Sequence, residues 1–487
     1  MDESANGGAH SGRRAIVVVG AGFGGLRFFI DSLNLVIENH LSDFVEYVFI
    51  DQRPFESFGR GVAWASDQNP NMRANMHRPE LEIDPETQDE VDNILKFPAD
   101  HQPTSAELFS RRKEVGDRLA AKFTECIDRA TEHHVPFRPL KDEAIDIVRA
   151  GIQYDVTLRS GGRIRADCVV LALGHVPPTG WAKLFDCPNY TRNAWTLGQA
   201  AIDAIPRTAR VAVIGLGPSG VDAIIKLRDG GVRKVAGYSR SGAMQYPRPN
   251  PTKIAAKIIT EDNIQKLATA QPALRVDTLL GLLAAEFMAQ DIDWRPFLRA
   301  VEISNGPAKK CLSDGYDEGH GQKTSDWFGL ITTFNAVIPI AWHLLDDRDR
   351  PRFRELKDSV DNVLYGMAPP HALRMLTELE HGTLKLFGGL RDILPDDVSG
   401  VFSVIRAVDG NPVTDEVDYV IDCTGFGKDL ANSRTPLLEN MLTSGMLTAH
   451  EFGGAVVDFT TGQVPKDAKG RSVHIYALSG TLNIGTR

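Results

Sequence analysis

The chain has 487 residues and a formal net charge of −10, too long for one compact core and too acidic for a surface built to grip nucleic-acid phosphates. Its 42% hydrophobic and 24% charged residues are the balance of an ordinary globular protein, and the longest basic cluster is Arg111-Arg112-Lys113. Five scattered cysteines (Cys126, Cys168, Cys187, Cys311, Cys423) include no C-x-x-C pair, so neither a zinc site nor a redox dithiol is signalled, and a reducing, cytoplasmic setting follows.

Residues 1–13 are small and polar with no apolar signal segment, and are expected to form a mobile tail. Arg14 to Val19 is a β-branched run, the pattern of a strand buried on both faces. Gly20-Ala21-Gly22-Phe23-Gly24-Gly25 follows, then a helical pattern through Leu26, Phe29, Ile30, Leu33 and Ile37, then a strand from Tyr47 that ends at Asp51. In such a unit the first glycine permits the tight turn. The second, Gly22, lets a diphosphate approach the backbone, and Gly25 lets helix pack on strand. The helix N-terminus offers unpaired N–H groups to the phosphates, and Asp51 stands where a carboxylate accepts from a ribose diol. The sequence therefore predicts a dinucleotide site; the competing reading is a plain βαβ turn without ligand.

Residues 52–110 are broken by Pro54, Pro70, Pro79, Pro85 and Pro98, and a helix is expected over 111–132. From 143 the pattern becomes alternating strands, ending in Asp167 to Gly174. A second strand, Arg210 to Ile214, runs into Gly215-Leu216-Gly217-Pro218-Ser219-Gly220 and a helix. The next strand, Lys234 to Tyr238, ends in Ser239-Arg240-Ser241-Gly242, with no carboxylate at the position equivalent to Asp51. A guanidinium between two hydroxyls suits a 2′-phosphate, which favours NADPH over NADH; the alternative for Arg240 is a solvated surface arginine.

Residues 252–381 read as helical, broken near 304–325. Trp327 to Leu345 carries no Asp, Glu, Lys or Arg, yet Gly329, Thr332, Thr333, Asn335, Pro339 and His343 make it a buried helix pair and not a membrane span. Trp294, Phe297, Trp327 and Trp342 are either core or the lining of a pocket, and Arg295 either a surface ion pair or the partner of a substrate carboxylate. Strands are expected at 384–387, 401–406 and 417–422, and from Ile475 towards Thr481. The fold class predicted is α/β, with two Rossmann-type dinucleotide-binding domains and a mostly helical insertion. The expected boundaries are 14–200 with 382–487 for the first domain, 201–251 for the second unit, and 252–381 for the insertion and substrate region.

The chain resembles the flavoproteins with two dinucleotide-binding domains, a group that includes N-hydroxylating and Baeyer–Villiger-type monooxygenases, and within it the broad bacterial FAD-NAD(P)-binding family. The resemblance rests on residues 20–25, on Gly61-Val62-Ala63-Trp64-Ala65-Ser66 with Ala74-Asn75-Met76, and on Arg112-Lys113-Glu114-Val115-Gly116. Residues 171–178, the second glycine turn with residues 239–242, and Asp422-Cys423-Thr424-Gly425 complete it. It implies that Gly20, Gly22, Gly24, Gly25 and Asp51 hold FAD, and that Gly215, Gly217, Ser219, Gly220, Ser239 and Arg240 hold NADPH. It implies further that Trp64 and Met76 flank the flavin ring, with Asn75 as the polar group near the reacting atoms; an asparagine fixing its own turn is the alternative. Gly174 and Gly425 would make the crossing turns, His175 a linker, and Gly480 and Thr481 would close over the flavin, unless their strand is a simple edge strand.

Two departures refine the expectation. Leu173 replaces the threonine of the family's Ala-Thr-Gly turn, and the F-x-G-x-x-x-H-x-x-x-[YF] signature of classical flavin monooxygenases is missing. N-hydroxylation is thereby favoured. The expected chemistry is reduction of FAD by NADPH, addition of O2 to give a flavin hydroperoxide, and hydroxylation of a small molecule, with no metal. The alternatives are an NAD(P)H-linked flavin reductase or oxidase, and a non-catalytic cofactor-bound sensor or assembly protein. No nucleic-acid or membrane partner is expected, and the sequence leaves oligomeric state open.

Overall fold

A computed structural model describes residues 12–78, 104, 107–270, 273–320, 324–396, 398–466, 469–471, 473–478 and 482–483. The chain divides into two compact units: residues 1–66, 116–176 and 428–485 in the first, and 67–115, 177–427 and 486–487 in the second.

The first unit carries a five-stranded parallel sheet. Its strands are β1 (Arg14–Val19), β2 (Val45–Asp51), β3 (Phe137–Lys141), β7 (Cys168–Leu171) and β18 (Ile475–Ala477), in the order β18-β7-β1-β2-β3. Val17, Val18, Val48, Phe49, Val169 and Val170 are buried, as strands covered on both faces require. Helix α1 (Phe23–Glu38) covers one face with α2 (Arg112–Glu132), whose first turn belongs to the second unit. Phe29 of α1 sits 5.1 Å from both Tyr47 and Phe49 and 5.6 Å from Phe123, a ring cluster that seats the helices on β2. An antiparallel meander, β4 (Ala144–Ala150), β5 (Gln153–Leu158) and β6 (Arg163–Ala166), fills the connection between β3 and β7.

The second unit repeats this plan. Its parallel sheet runs β13-β10-β9-β17-β8, with β8 (Tyr190–Thr191), β9 (Arg210–Ile214), β10 (Lys234–Tyr238), β13 (Leu384–Phe387) and β17 (Tyr419–Asp422). A second meander, β14 (Leu390–Pro395), β15 (Phe402–Val408) and β16 (Asn411–Val417), occupies the connection between β13 and β17. The helix after the glycine turn is α4 (Pro218–Asp229), preceded by the short α3 (Gln199–Asp203).

This corrects the expected boundaries. The strands at 384–422 do not return to the first domain: β13 pairs with β10 and β17 with β9, so the first domain takes up its chain again only at 428. The second unit is a full sheet with its own meander, larger than the 201–251 expected. Residues 177–200 also fall within it.

The insertion holds a short parallel pair, β11 (Asn250–Pro251) and β12 (Thr324–Ser325), with α5 (Glu261–Ala270), α6 (Val276–Ala289), α7 (Arg295–Ser304), α8 (Ala308–Gly319), α9 (Asp326–Leu344), α10 (Arg350–Leu364) and α11 (Pro369–Glu380). Instead of a helix pair, the uncharged stretch forms the single helix α9, continuous through Pro339. Its threonines are accommodated by hydrogen bonds: Thr332 and Thr333 donate to the Gly329 carbonyl within the helix, and Thr333 also to the Ile254 carbonyl outside it. Residues 327–331 and 340–342 are buried while the stretch between them is mostly half-buried, although by length and composition α9 is apolar enough to cross a membrane. Trp327, Phe297 and Phe328 are core; Trp294 is exposed. Arg295 pairs with Asp293 at the surface.

Candidate functional site

The two glycine turns are built alike. Gly20 adopts a φ of 103° and Gly215 one of 98°, a region that L side chains rarely enter. A Cβ on Gly20 would overlap the Ala172 carbonyl at the end of β7, and one on Gly215 the Cys423 carbonyl at the end of β17. The third glycines, Gly25 and Gly220, lie against the carbonyls of Gly20 and Gly215, so each helix closes directly on its own turn. Two residues past those contacts, Gly174 (φ 69°) and Gly425 (φ 101°) occupy matching positions where a side chain would meet nothing. Gly24 faces the Ala172 methyl, and Ser219 is half-buried in the first turn of α4, which opens on Pro218.

The middle glycines differ. A Cβ on Gly217 would stand in open space. One on Gly22 would lie 3.2 Å from the Gly61 Cα and 3.9 Å from Arg53 Nη2. The 52–64 segment therefore folds back over the first turn, held by the Gly59 N–H donating to the Ala21 carbonyl at 2.7 Å. Gly59 itself has a φ of 83° and fits against Leu119 of α2, while Gly116 fits against the Trp64 carbonyl; Trp64 is half-buried.

Asp51 closes the first turn. Its Oδ2 accepts from the Ala21 N–H at 2.8 Å and from Arg53 Nη2 at 2.7 Å, and its Oδ1 from the Arg53 N–H at 3.0 Å and Nε at 2.9 Å. Burial alone would raise this carboxyl; the Arg53 hydrogen bonds and charge outweigh burial and hold it below the ordinary carboxylate range. At the matching place after β10, Ser239 Oγ accepts from the Gly242 N–H at 2.8 Å and Ser241 Oγ from the Ala243 N–H at 3.2 Å. Arg240 is exposed and its guanidinium has no partner among the described residues.

Asn75 is half-buried and Met76 exposed; both lie on the 67–115 segment of the second unit. Gly480 and Thr481 fall outside the described residues, as do Pro79, Pro85 and Pro98. The strand leading to them, β18, is the edge strand of the first sheet. Among the described residues no group of three or more His, Cys, Asp or Glu could hold a metal, and none of the five cysteines is in a disulfide. The sequence reading missed Arg53 and Gly59, and named Gly61 and Gly116 only as part of the family resemblance, without their contacts to Gly22 and Trp64. An arginine two residues after a strand-ending acid, and paired glycines in the loop that follows, were the available signals.

Residues 17–176 match the family model described as FAD-NAD(P)-binding. Among solved structures the chain is similar to the ornithine hydroxylase PvdA from Pseudomonas aeruginosa, at 13% identity and a TM-score of 0.55, over 97% of this chain and 94% of that one. It is similar to L-lysine 6-monooxygenase from Pseudomonas syringae at 15% identity and 0.52, over 96% and 92%. The cadaverine monooxygenase DfoA from Erwinia amylovora, bound to FAD, matches at 13% identity and 0.52, over 97% and 88%. At these identities the likeness is one of fold. No curated protein matches the chain.

Proposed function

We propose that this chain is an FAD-dependent, NADPH-consuming monooxygenase that hydroxylates the nitrogen of a small amine in the cytoplasm. The observation that carries the reading is the pair of glycine turns, one per parallel sheet, of which the first ends in a carboxylate and the second in Ser239-Arg240-Ser241. Gly20, Gly22, Gly24, Gly25 and Asp51 form the FAD cradle, with bare backbone at Gly22 and Gly61 leaving room beside the turn for a diphosphate. Gly215, Gly217, Ser219 and Gly220 bind the NADPH diphosphate, for which the open face of Gly217 is suited. Ser239 and Arg240 take its 2′-phosphate, because a guanidinium with no partner among the described residues is free to form charge-assisted bonds. Trp64 and Met76 are assigned to the flavin ring, Asn75 is the polar side chain assigned to the reacting centre, and Gly174 and Gly425 keep backbone accessible to the cofactors.

Flavin reduced by nicotinamide supplies activation of O2 for transfer of one oxygen atom. The protein's share is to bind, orient and exclude water, which accords with the lack of a nucleophile–base set in the sequence. The choice of an amine follows the named activities of the proteins of similar fold, which act on ornithine, lysine and cadaverine.

The test incubates the purified full chain with NADPH and O2 in the presence of L-ornithine, L-lysine or cadaverine. Hydroxylamine formed, NADPH consumed and hydrogen peroxide released are measured together. Hydroxylamine in near-equal amount to NADPH supports the proposal. NADPH consumption that yields peroxide alone with every amine moves the protein to the flavin reductases and oxidases. A yellow protein that NADPH does not bleach would be a non-catalytic binder.

A further inference from the structure

Asp51 has four acceptor positions and all four are filled, one by the Ala21 N–H and three by Arg53. A ribose diol reaches this carboxylate only by displacing a donor already held at 2.7 to 3.0 Å. The unspent capacity lies on the other side of the pair. Arg53 Nη1 is shielded from water and meets no acceptor among the described residues. Nη2 of the same guanidinium stands 3.9 Å from where a Cβ of Gly22 would be, over the glycine whose bareness admits a diphosphate. The Gly61 backbone limits that space on a second side, 3.2 Å from the same point.

Resting on the reading of this unit as the FAD cradle, we propose that Arg53 binds the cofactor's diphosphate and that Asp51 acts chiefly through it. The carboxylate fixes the guanidinium fork and the Ala21 N–H of the turn in one arrangement, and the guanidinium presents its remaining N–H to a phosphate oxygen. Arginine suits this place because its planar fork gives one edge to a carboxylate and keeps further donors for a second anion. Without an anion there, a shielded donor is left unsatisfied, a state that folded proteins rarely keep. Asp51 is thus a positioning residue, and Arg53 the contact.

The test strips the full chain of flavin and measures FAD affinity by quenching of flavin fluorescence, at two salt concentrations, for the wild type, Arg53→Gln, Arg53→Lys and Asp51→Asn. Loss of a charge-assisted bond to phosphate is expected to weaken FAD by roughly 10- to 100-fold in Arg53→Gln. The salt dependence of binding should flatten with it, because a phosphate contact makes affinity fall as salt rises. Arg53→Lys keeps a charge without the fork and should fall between the two. Asp51→Asn should lose affinity while keeping the wild-type salt dependence, as a group that only positions the charge would. If Arg53→Gln does not fold, Arg53→Lys carries the test by the same two readings. FAD affinity within twofold of wild type and an unchanged salt dependence in the Arg53 variants overturn the proposal while leaving the flavin reading intact. A wild-type chain that refuses FAD takes both down.

Discussion

Arg112 and Asp222 form an ion pair at 2.9 Å whose side chains are only 7% and 5% exposed. The arginine opens α2 and the aspartate lies inside α4, the helix that follows the second glycine turn. The guanidinium also lies over the Trp195 ring, 5.2 Å from its centre, and the Arg112 N–H donates to the Met72 carbonyl at 2.9 Å. Arg112→Ala leaves a buried carboxylate without its charge partner and should cost about 3–5 kcal/mol. Urea unfolding followed by tryptophan fluorescence checks this. The double change Arg112→Met with Asp222→Leu should recover only part of the loss, because buried Lys226 also feels the Asp222 charge and loses it.

The glycines of the second turn should separate packing from binding. Gly220→Ala puts a methyl on the Gly215 carbonyl, and the variant should melt well below the wild type. Gly217→Ala meets no protein atom, so its melting temperature should stay within about 2 °C of the wild type. Its methyl nevertheless enters the space assigned to the dinucleotide, and the Michaelis constant for NADPH should rise by at least roughly tenfold. A variant that melts and binds NADPH like the wild type would remove the second turn from the binding site.

Arg240 should set the choice of nicotinamide cofactor. Arg240→Ala is expected to cut kcat/KM for NADPH by about tenfold or more while leaving NADH within about twofold, since only NADPH carries the phosphate the guanidinium would hold. Equal losses with both cofactors would contradict that role. Because the side chain is exposed and bonds to nothing described, stability should not change.

His371 gives stability a pH dependence of known sign. It is buried, and its Nε2 lies 3.2 Å from the Arg73 N–H and 3.3 Å from the Asn71 carbonyl, while its Nδ1 is shielded and meets no partner among the described residues. Burial pushes its pKa down, with the Arg112 and Arg73 charges adding to the effect and Asp222 opposing it. The unfolded chain therefore takes up a proton first as pH falls below about 6.5, and stability declines from there towards the lower folded value. The slope from this one group approaches about 1.4 kcal/mol per pH unit. Unfolding midpoints of wild type and His371→Gln compared at pH 7.0 and 5.5 should show a smaller acid-side drop in the variant.

The glycine turns were legible because strand, turn and helix follow within a few tens of residues and Gly25 and Gly220 pack on the nearby carbonyls of Gly20 and Gly215; the Ala172 and Cys423 carbonyls that crowd Gly20 and Gly215 come from strands distant in sequence and were not. The destination of the strands between 384 and 422 was not. Leu384 to Phe387 and Tyr419 to Asp422 read as strands, yet pairing with β10 or β1 would bury the same apolar side chains, and the sequence pattern carries no address. The meander strands at 390–395 and 411–417 were overlooked because alternation is weak there: Arg391, Asp392, Asn411 and Asp415 interrupt it. Asp51 was found by its place at a strand end. Arg53 was not, since only the folded carboxylate reveals that its acceptors are taken.

Both long additions to this molecule arise at one topological address. Residues 52–136 run from β2 to β3 in the first sheet, and residues 239–383 from β10 to β13 in the second, joining in each case adjacent parallel strands. Each departs from the carboxyl edge of its sheet, the rim on which the glycine turn also sits. A crossover can therefore change in length while the hydrogen-bonded ladder beneath keeps its register, because both of its ends are fixed by neighbouring strands of one sheet.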